Sequence, residues 1–243
     1  MAVSTLERCT PTPAAQENPP PPPLNNGDRL TRAQFERTYA AHPEIKKAEL
    51  IEGVVYVPSP TRHREHGKPH FHMIGWLNLY SAASPGVEGS DNATLRLDHE
   101  NELQPDALLF RLPEYGGNAG IGEDGFLEGA PELIVEVAAT SASYDLNQKK
   151  RVYARSGVAE YIVYLAYEQR IIWFKLREGV YEELQPDESG LLKSEQFPGL
   201  WLLPDALIEG EIARLLQALQ KGLASREHKT FCDALQNMRK ETK

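Results

Sequence analysis

Cysteine, surplus positive charge and long apolar runs are what this sequence has little of. Its two cysteines are Cys9, inside a proline-rich N-terminus, and Cys232 near the other end. Neither a disulfide framework nor a cysteine metal site is expected, which suits a reducing, cytoplasmic location. The formal net charge is −9, from 35 acidic against 26 basic residues. That balance works against a long, non-specific grip on nucleic acid, because neutralising phosphates takes clustered Lys and Arg. The N-terminus MAVSTLERCTPTPAAQENPPPPPLNN has no apolar signal core, and no apolar run is long enough to span a bilayer, so no membrane association is expected. Phosphate-cradling glycine motifs are missing too: no GxGxxG opens a helix and no GxxxxGK[ST] occurs, so nucleotide cofactors lose support.

What is present reads as one well-filled domain with tails, at 243 residues and 41% hydrophobic composition. The prolines Pro19 to Pro23 make residues 1–26 a disordered, polyproline-like leader; residues 27–203 form the domain, and 204–243, with IARLLQALQKGL and FCDALQNM, a helical C-terminal extension packed outside it. Thr31 with Gln34 fits a capping box, opening a short helix. AELIEGVVYV alternates as a strand broken by a turn or bulge at Glu52-Gly53. A helix with a broad apolar face is predicted from Pro69 to Ala83, and NATLRL and QPDALLF read as strands. The Gly-rich stretch YGGNAGIGEDGFLEGA is long enough to be a flap. PELIVEVA is a buried strand, followed by a helix over about 143–156 that Gly157 terminates, and EYIVYLAY, RIIWFKL and VYEEL are further strands. This order implies an α/β fold, a mixed β-sheet flanked by helices.

One residue in the buried strand is out of place. Glu136 interrupts an apolar run, and an ionised carboxylate there costs several kcal/mol unless a metal, a basic side chain or solvent meets it. Asp106, after Pro105, heads another strand. If the two strands are neighbours their carboxylates can converge, which is how proteins commonly hold Mg²⁺ for hydrolysis. Lys149 follows Asp145 by four residues, either as a surface ion pair or pointing back over the sheet, and spacing alone does not decide. The basic clusters Lys149, Lys150, Arg151, Arg155 and Arg62, Arg64, Lys68 are each more often solvated faces than binding sites. Among His63, His66, His70 and His72, the pair His66 and His70 has a spacing compatible with Zn²⁺, but Pro69 interrupts the helix and no HExxH occurs, which favours solvent-facing histidines. A glycosidase using Asp106 and Glu136 as acid and base is a further alternative, weakened by the scarcity of aromatics for a sugar cleft.

The segments QPDALLF, PELIVEVAATSASYDLNQKKRVYARSGVAEYIV and FPGLWL resemble the Uma-type putative restriction endonuclease family, within the PD-(D/E)XK nuclease clan, over about Ala48 to Leu202. The resemblance implies a restriction-endonuclease-like fold and an endonuclease hydrolysing DNA with Mg²⁺, Mn²⁺ being a possible substitute. It implies that Asp106, Glu136 and the carbonyl of Val137 bind the metal. The clan's lysine usually stands two residues after the glutamate, where this chain has Ala138; in this family a lysine of the following helix replaces it, and Lys149 matches. Glu49 matches an N-terminal acidic residue and His63 a frequent histidine, both as auxiliaries. Tyr153 and Gly157, also in the pattern, read as packing and cap residues. The chain departs from the pattern at VAATS, where VLSPS is commoner, and YIVYLAY lacks an aspartate often found there. Cutting both strands would suit a homodimer, of which no interface is legible, and the alternative function is a non-catalytic scaffold retaining the nuclease fold.

Overall fold

Alternating side chains in AELIEGVVYV fold back as a hairpin in which Glu49–Ile51 pairs antiparallel with Val54–Tyr56. The turn residues Glu52 and Gly53 hold φ of 51° and 71°, the left-handed values that a tight two-residue hairpin turn requires. The structure, a computed structural model, describes residues 21–241. The hairpin forms one edge of a small sheet that continues through Glu102–Leu103, Leu95–Arg96, Leu127–Glu128 and Gly120–Ile121. The Gly-rich stretch expected as a flap is therefore tied into this sheet by two short strands. A Cβ on Gly117 would lie 1.7 Å from the carbonyl oxygen of Arg111, so the start of the stretch packs directly on the backbone of the larger sheet.

That larger sheet carries the β-branched runs and its strands lie in sequence order: β1 (Val87–Asp91), β2 (Ala107–Arg111), β3 (Leu133–Ala138), β4 (Glu160–Leu165), β5 (Arg170–Arg177) and β6 (Val180–Glu183). Neighbours are antiparallel except β3 and β4, whose parallel pairing sets Val163 beside Glu136 and Tyr164 beside Val137. A parallel pair needs a crossover. Here it is a helical segment from Ala142 to Ser156 with a π-helical turn, Asp145–Lys149, in its middle, and Gly157 ends it at φ 86°.

Helices complete the frame of the described residues: α1 (Arg32–Ala41), α2 (Lys68–Ala83), α3 (Lys150–Ser156, the end of the crossover), α4 (Pro204–Glu209), α5 (Ile212–Leu223) and α6 (Arg226–Glu241). The capping box at Thr31 and Gln34 is formed, and a π-helical turn, His63–Gly67, leads into α2. One face of the large sheet, with Leu109, Val135, Val137, Ile162 and Trp173, is covered by α2 and the C-terminal helices. The other, with Leu108, Ile134, Ala138, Tyr161 and Val163, meets the small sheet and the crossover. By strand alternation Glu136 points to the second face.

Both ends of the described chain join its packing. Ala206, Leu207, Leu215, Leu219 and Leu235 are buried in the core they share with α2, so the C-terminal helices are part of the domain's packing; each buried leucine contributes about 1.5–3 kcal/mol. Of the predicted leader, residues 1–20 lie outside the described residues. Leu24 is buried with Phe35, Leu50 and Val55, and the Gly27 N–H donates to the Val55 carbonyl at 2.9 Å, so the packed chain begins ahead of Asp28. Among the described residues no helix is long and apolar enough to cross a membrane.

Candidate active site

Glu136 is 3% exposed in mid-strand, and its partner is a lysine. Its Oε1 accepts from Lys149 Nζ at 2.9 Å and from the Tyr153 hydroxyl at 2.8 Å. The π-helical turn delivers Lys149 into the sheet face: the same ammonium lies 3.0 Å from Glu49 Oε1 and 3.6 Å from Asp145 Oδ1. Lys149 and Asp145 are 5% and 1% exposed, which rules out the surface ion pair that their spacing alone permits. Glu49, on the first strand of the small sheet, also accepts the Gln104 N–H at 2.9 Å. Three carboxylates thus surround one ammonium.

Asp106 stands at the head of β2, where Ala107 pairs with Val135. The strands carrying the two acids are adjacent, which is the condition for their carboxylates to converge. Asp106 reaches along the end of the pairing, and its Oδ2 accepts the Val137 N–H at 2.8 Å. His66 Nε2 approaches the same oxygen at 3.1 Å, and Lys47 Nζ lies 3.5 Å from Oδ1. His70 Nε2 bonds the Asp106 carbonyl at 2.8 Å and lies 3.2 Å from Asp91 Oδ1. His66 and His70 therefore hold Asp106 instead of facing solvent, because the turn before α2 folds over the N-terminal end of β2. His63, expected as the auxiliary histidine, is exposed and its side chain makes no hydrogen bond or ion pair with a described residue.

The protonation states follow from burial and these neighbours. Burial pushes Asp106 toward neutrality, but the His66 bond and the charges of Lys47 and Lys149 outweigh it and hold the acid well below the usual carboxylate range. Burial, reinforced by the charges of Asp145, Asp106 and Glu49, pushes Glu136 up to about 8 against the pull of Lys149. One ammonium shared by three acids cannot fully compensate any of them. Burial works against the charge of Lys149 too, but Glu136, Glu49 and Asp145 together keep its pKa well above that of a free lysine. Both Asp145 carboxylate oxygens are buried without a hydrogen-bond donor.

Four acids thus gather here with one buried lysine, and the donors are hard oxygens suited to Mg²⁺ or Mn²⁺. Among the described residues, no three His, Cys, Asp or Glu side chains are grouped to hold an ion, so such an ion would rest on two carboxylates, backbone oxygen and water. Of the residues expected from sequence, Asp106, Glu136, Val137, Lys149 and Glu49 come together and His63 does not. The sequence reading named Asp145 only as an ion-pair partner of Lys149, Tyr153 as a packing residue and His66 with His70 as a histidine pair, and it left out Lys47. The i,i+4 spacing of the two histidines was the available signal; for Lys47 no pattern existed.

Comparison with known proteins gives a family and a distant likeness. Among curated proteins none matches the chain. A crystal structure titled as a putative nuclease belonging to DUF820 from Anabaena variabilis ATCC 29413 is similar at a TM-score of 0.48 and 15% identity, over 71% of this chain and 90% of that one. The family model Uma2, described as "Putative restriction endonuclease", matches residues 32–206, the span that holds both sheets and every residue of the cluster, and the chain belongs to that family.

Proposed function

We propose that this protein is a metal-dependent endonuclease that hydrolyses phosphodiester bonds of DNA, with Asp106 and Glu136 as metal ligands, the Val137 carbonyl as a further one, and Lys149 as the fixed cation. The observation that carries the reading is the convergence of Asp106 and Glu136 from adjacent strands on a surplus of buried negative charge that one lysine does not neutralise. Membership of the family supports the reaction class. A bound Mg²⁺ or Mn²⁺ supplies Lewis acidity to the phosphoryl group and acidifies water.

The chain's own groups have separable tasks. Asp106 stays ionised and is fixed by the Val137 N–H and His66. Glu136 is oriented by Tyr153, and burial favours a proton on it that it would give up on holding a cation. Lys149 remains protonated, so it cannot take a proton from water; it stabilises negative charge developing on the phosphoryl oxygens. Glu49 and Asp145 position that ammonium. The alternative, a non-catalytic scaffold keeping this fold, draws support from the net charge of −9.

The full chain incubated with circular duplex, linear duplex and single-stranded DNA in Mg²⁺, Mn²⁺ or EDTA tests the reading. Cleavage is expected only with the divalent ion. It should fall about a thousandfold or more in Asp106→Asn and Glu136→Gln, and about a hundredfold in Lys149→Ala, the scale of losing one charge-stabilising group. A wild-type chain inert under every condition makes the scaffold reading the right one.

A further inference from the structure

On the opposite flank of the helical turn that carries His66 and His70 lies a cavity of about 340 Å³, whose lining includes Arg64, Lys68, His72, Tyr164, Tyr167 and Leu207. We infer that this cavity receives one phosphate-bearing nucleotide of the nucleic-acid strand, at a position removed from the one that is cut. The inference rests on the nuclease reading for its substrate and on four features of the cavity itself.

The first is place. Tyr164 pairs with Val137 across the parallel β3 and β4 register, and the Val137 N–H is the one that holds Asp106. Tyr164 belongs with Val137 to the core under α2, so the cavity lies near the C-terminal ends of β3 and β4, where Asp106 is held, on the face of the sheet opposite Glu136. The second is charge. Arg64 and Lys68 both line the cavity, and neither forms an ion pair with a described residue, whereas Arg151, Arg170 and Arg177 are paired with carboxylates. Glu65 shares the lining, leaving the two cations in excess of one acid. In a chain of net charge −9 a phosphate needs such a local concentration of positive groups.

Shape and chemistry are the third and fourth. The volume falls at the small end of ligand pockets, which run from about 300 to 1,000 Å³, right for one nucleotide and too small for a duplex. Tyr167, 54% exposed, offers a ring on which a base can stack, and Leu207 gives an apolar floor; base stacking on aromatics is tolerant of sequence. Burial and the charge of Lys68 lower the pKa of His72, so it meets a ligand as a neutral hydrogen-bonding group.

Fluorescence anisotropy of the full chain with labelled single-stranded and duplex oligonucleotides in EDTA, with dAMP and inorganic phosphate as competitors, tests this without cleavage. Arg64→Ala and Lys68→Ala are each expected to weaken oligonucleotide binding about five- to tenfold and to lower the slope of log affinity against log salt by about 1. Lys68→Arg should restore both. Tyr167→Ala should weaken binding about fivefold or more with the salt slope unchanged. Wild-type affinity in all three alanine variants overturns the inference, and binding of dAMP without binding of any oligonucleotide overturns it in favour of a free-nucleotide site. Cleavage that persists with unaltered affinity in these variants removes the cavity and leaves the nuclease reading standing; variants that lose affinity in a chain that never cuts do the reverse.

Discussion

Glu136 and Glu160 lie on neighbouring strands, are 3% and 1% exposed, and are satisfied in opposite ways. Glu160 receives only neutral donors: the Trp173 indole at 3.2 Å, the Ser194 hydroxyl at 2.7 Å and the N–H groups of Glu195 and Gln196 at 2.6 and 3.1 Å. Burial pushes it up to about 6, and these donors oppose the rise. Glu136 has a lysine and a tyrosine, yet three other carboxylates act on it, and it is pushed up to about 8. A buried acid surrounded by donors is a fastener, here tying the segment around Ser194 to the large sheet. A buried acid among more acids than cations retains an affinity for one more positive charge.

Removing each acid should break the comparison if it is wrong. Glu160→Ala leaves four donors without their acceptor, and stranded buried donors cost about 1–3 kcal/mol each when water does not replace the partner. A total of at least about 3 kcal/mol is expected, a fall of roughly 6–12 °C in Tm for a chain of this size. Glu136→Ala leaves Lys149 paired with Glu49 and Asp145 and relieves repulsion among the acids, so a change within about 1 kcal/mol is expected. Equal losses by scanning calorimetry would show that both acids are structural.

The pH dependence sharpens the contrast from the Glu160 side. Its folded value, about 6, exceeds the ordinary 4.5, so the folded protein holds a proton that the unfolded chain releases first. The resulting stabilisation is complete below about pH 4.5 and is lost as pH rises through about 6. Urea midpoints across that window should decline in the wild type by a component that Glu160→Gln lacks, and parallel profiles would mean that Glu160 titrates normally. A smaller effect than that of Glu160→Ala belongs to Tyr153→Phe. Losing its bond to Glu136 should cost about 1 kcal/mol, seen as a Tm lower by roughly 2–4 °C.

Much of this was legible in the sequence because it depends on local pattern. The β-branched run around Glu136, the capping box at Thr31, the Glu52-Gly53 turn and the Gly157 cap each announce an element through neighbours one to four residues away. Asp106 and Glu136 were also legible, the first as an acid heading a strand and the second as an acid inside one. What escaped depends on contacts between distant segments. Lys47 reaches Asp106 across 59 residues, and the burial of Leu24 follows from the small sheet closing over it, which no proline count reveals. The π-helical turns at His63–Gly67 and Asp145–Lys149 shift side chains by part of a turn from where regular helical spacing puts them.

Calorimetric titration of the full chain with Mn²⁺ tests the central claim most directly, since it reads the proposed cation site without requiring a substrate. One site per chain is expected in the wild type and in Glu160→Gln, and none in Asp106→Ala or Glu136→Ala. A wild type that binds no ion, or the two site variants binding as the wild type does, would contradict it.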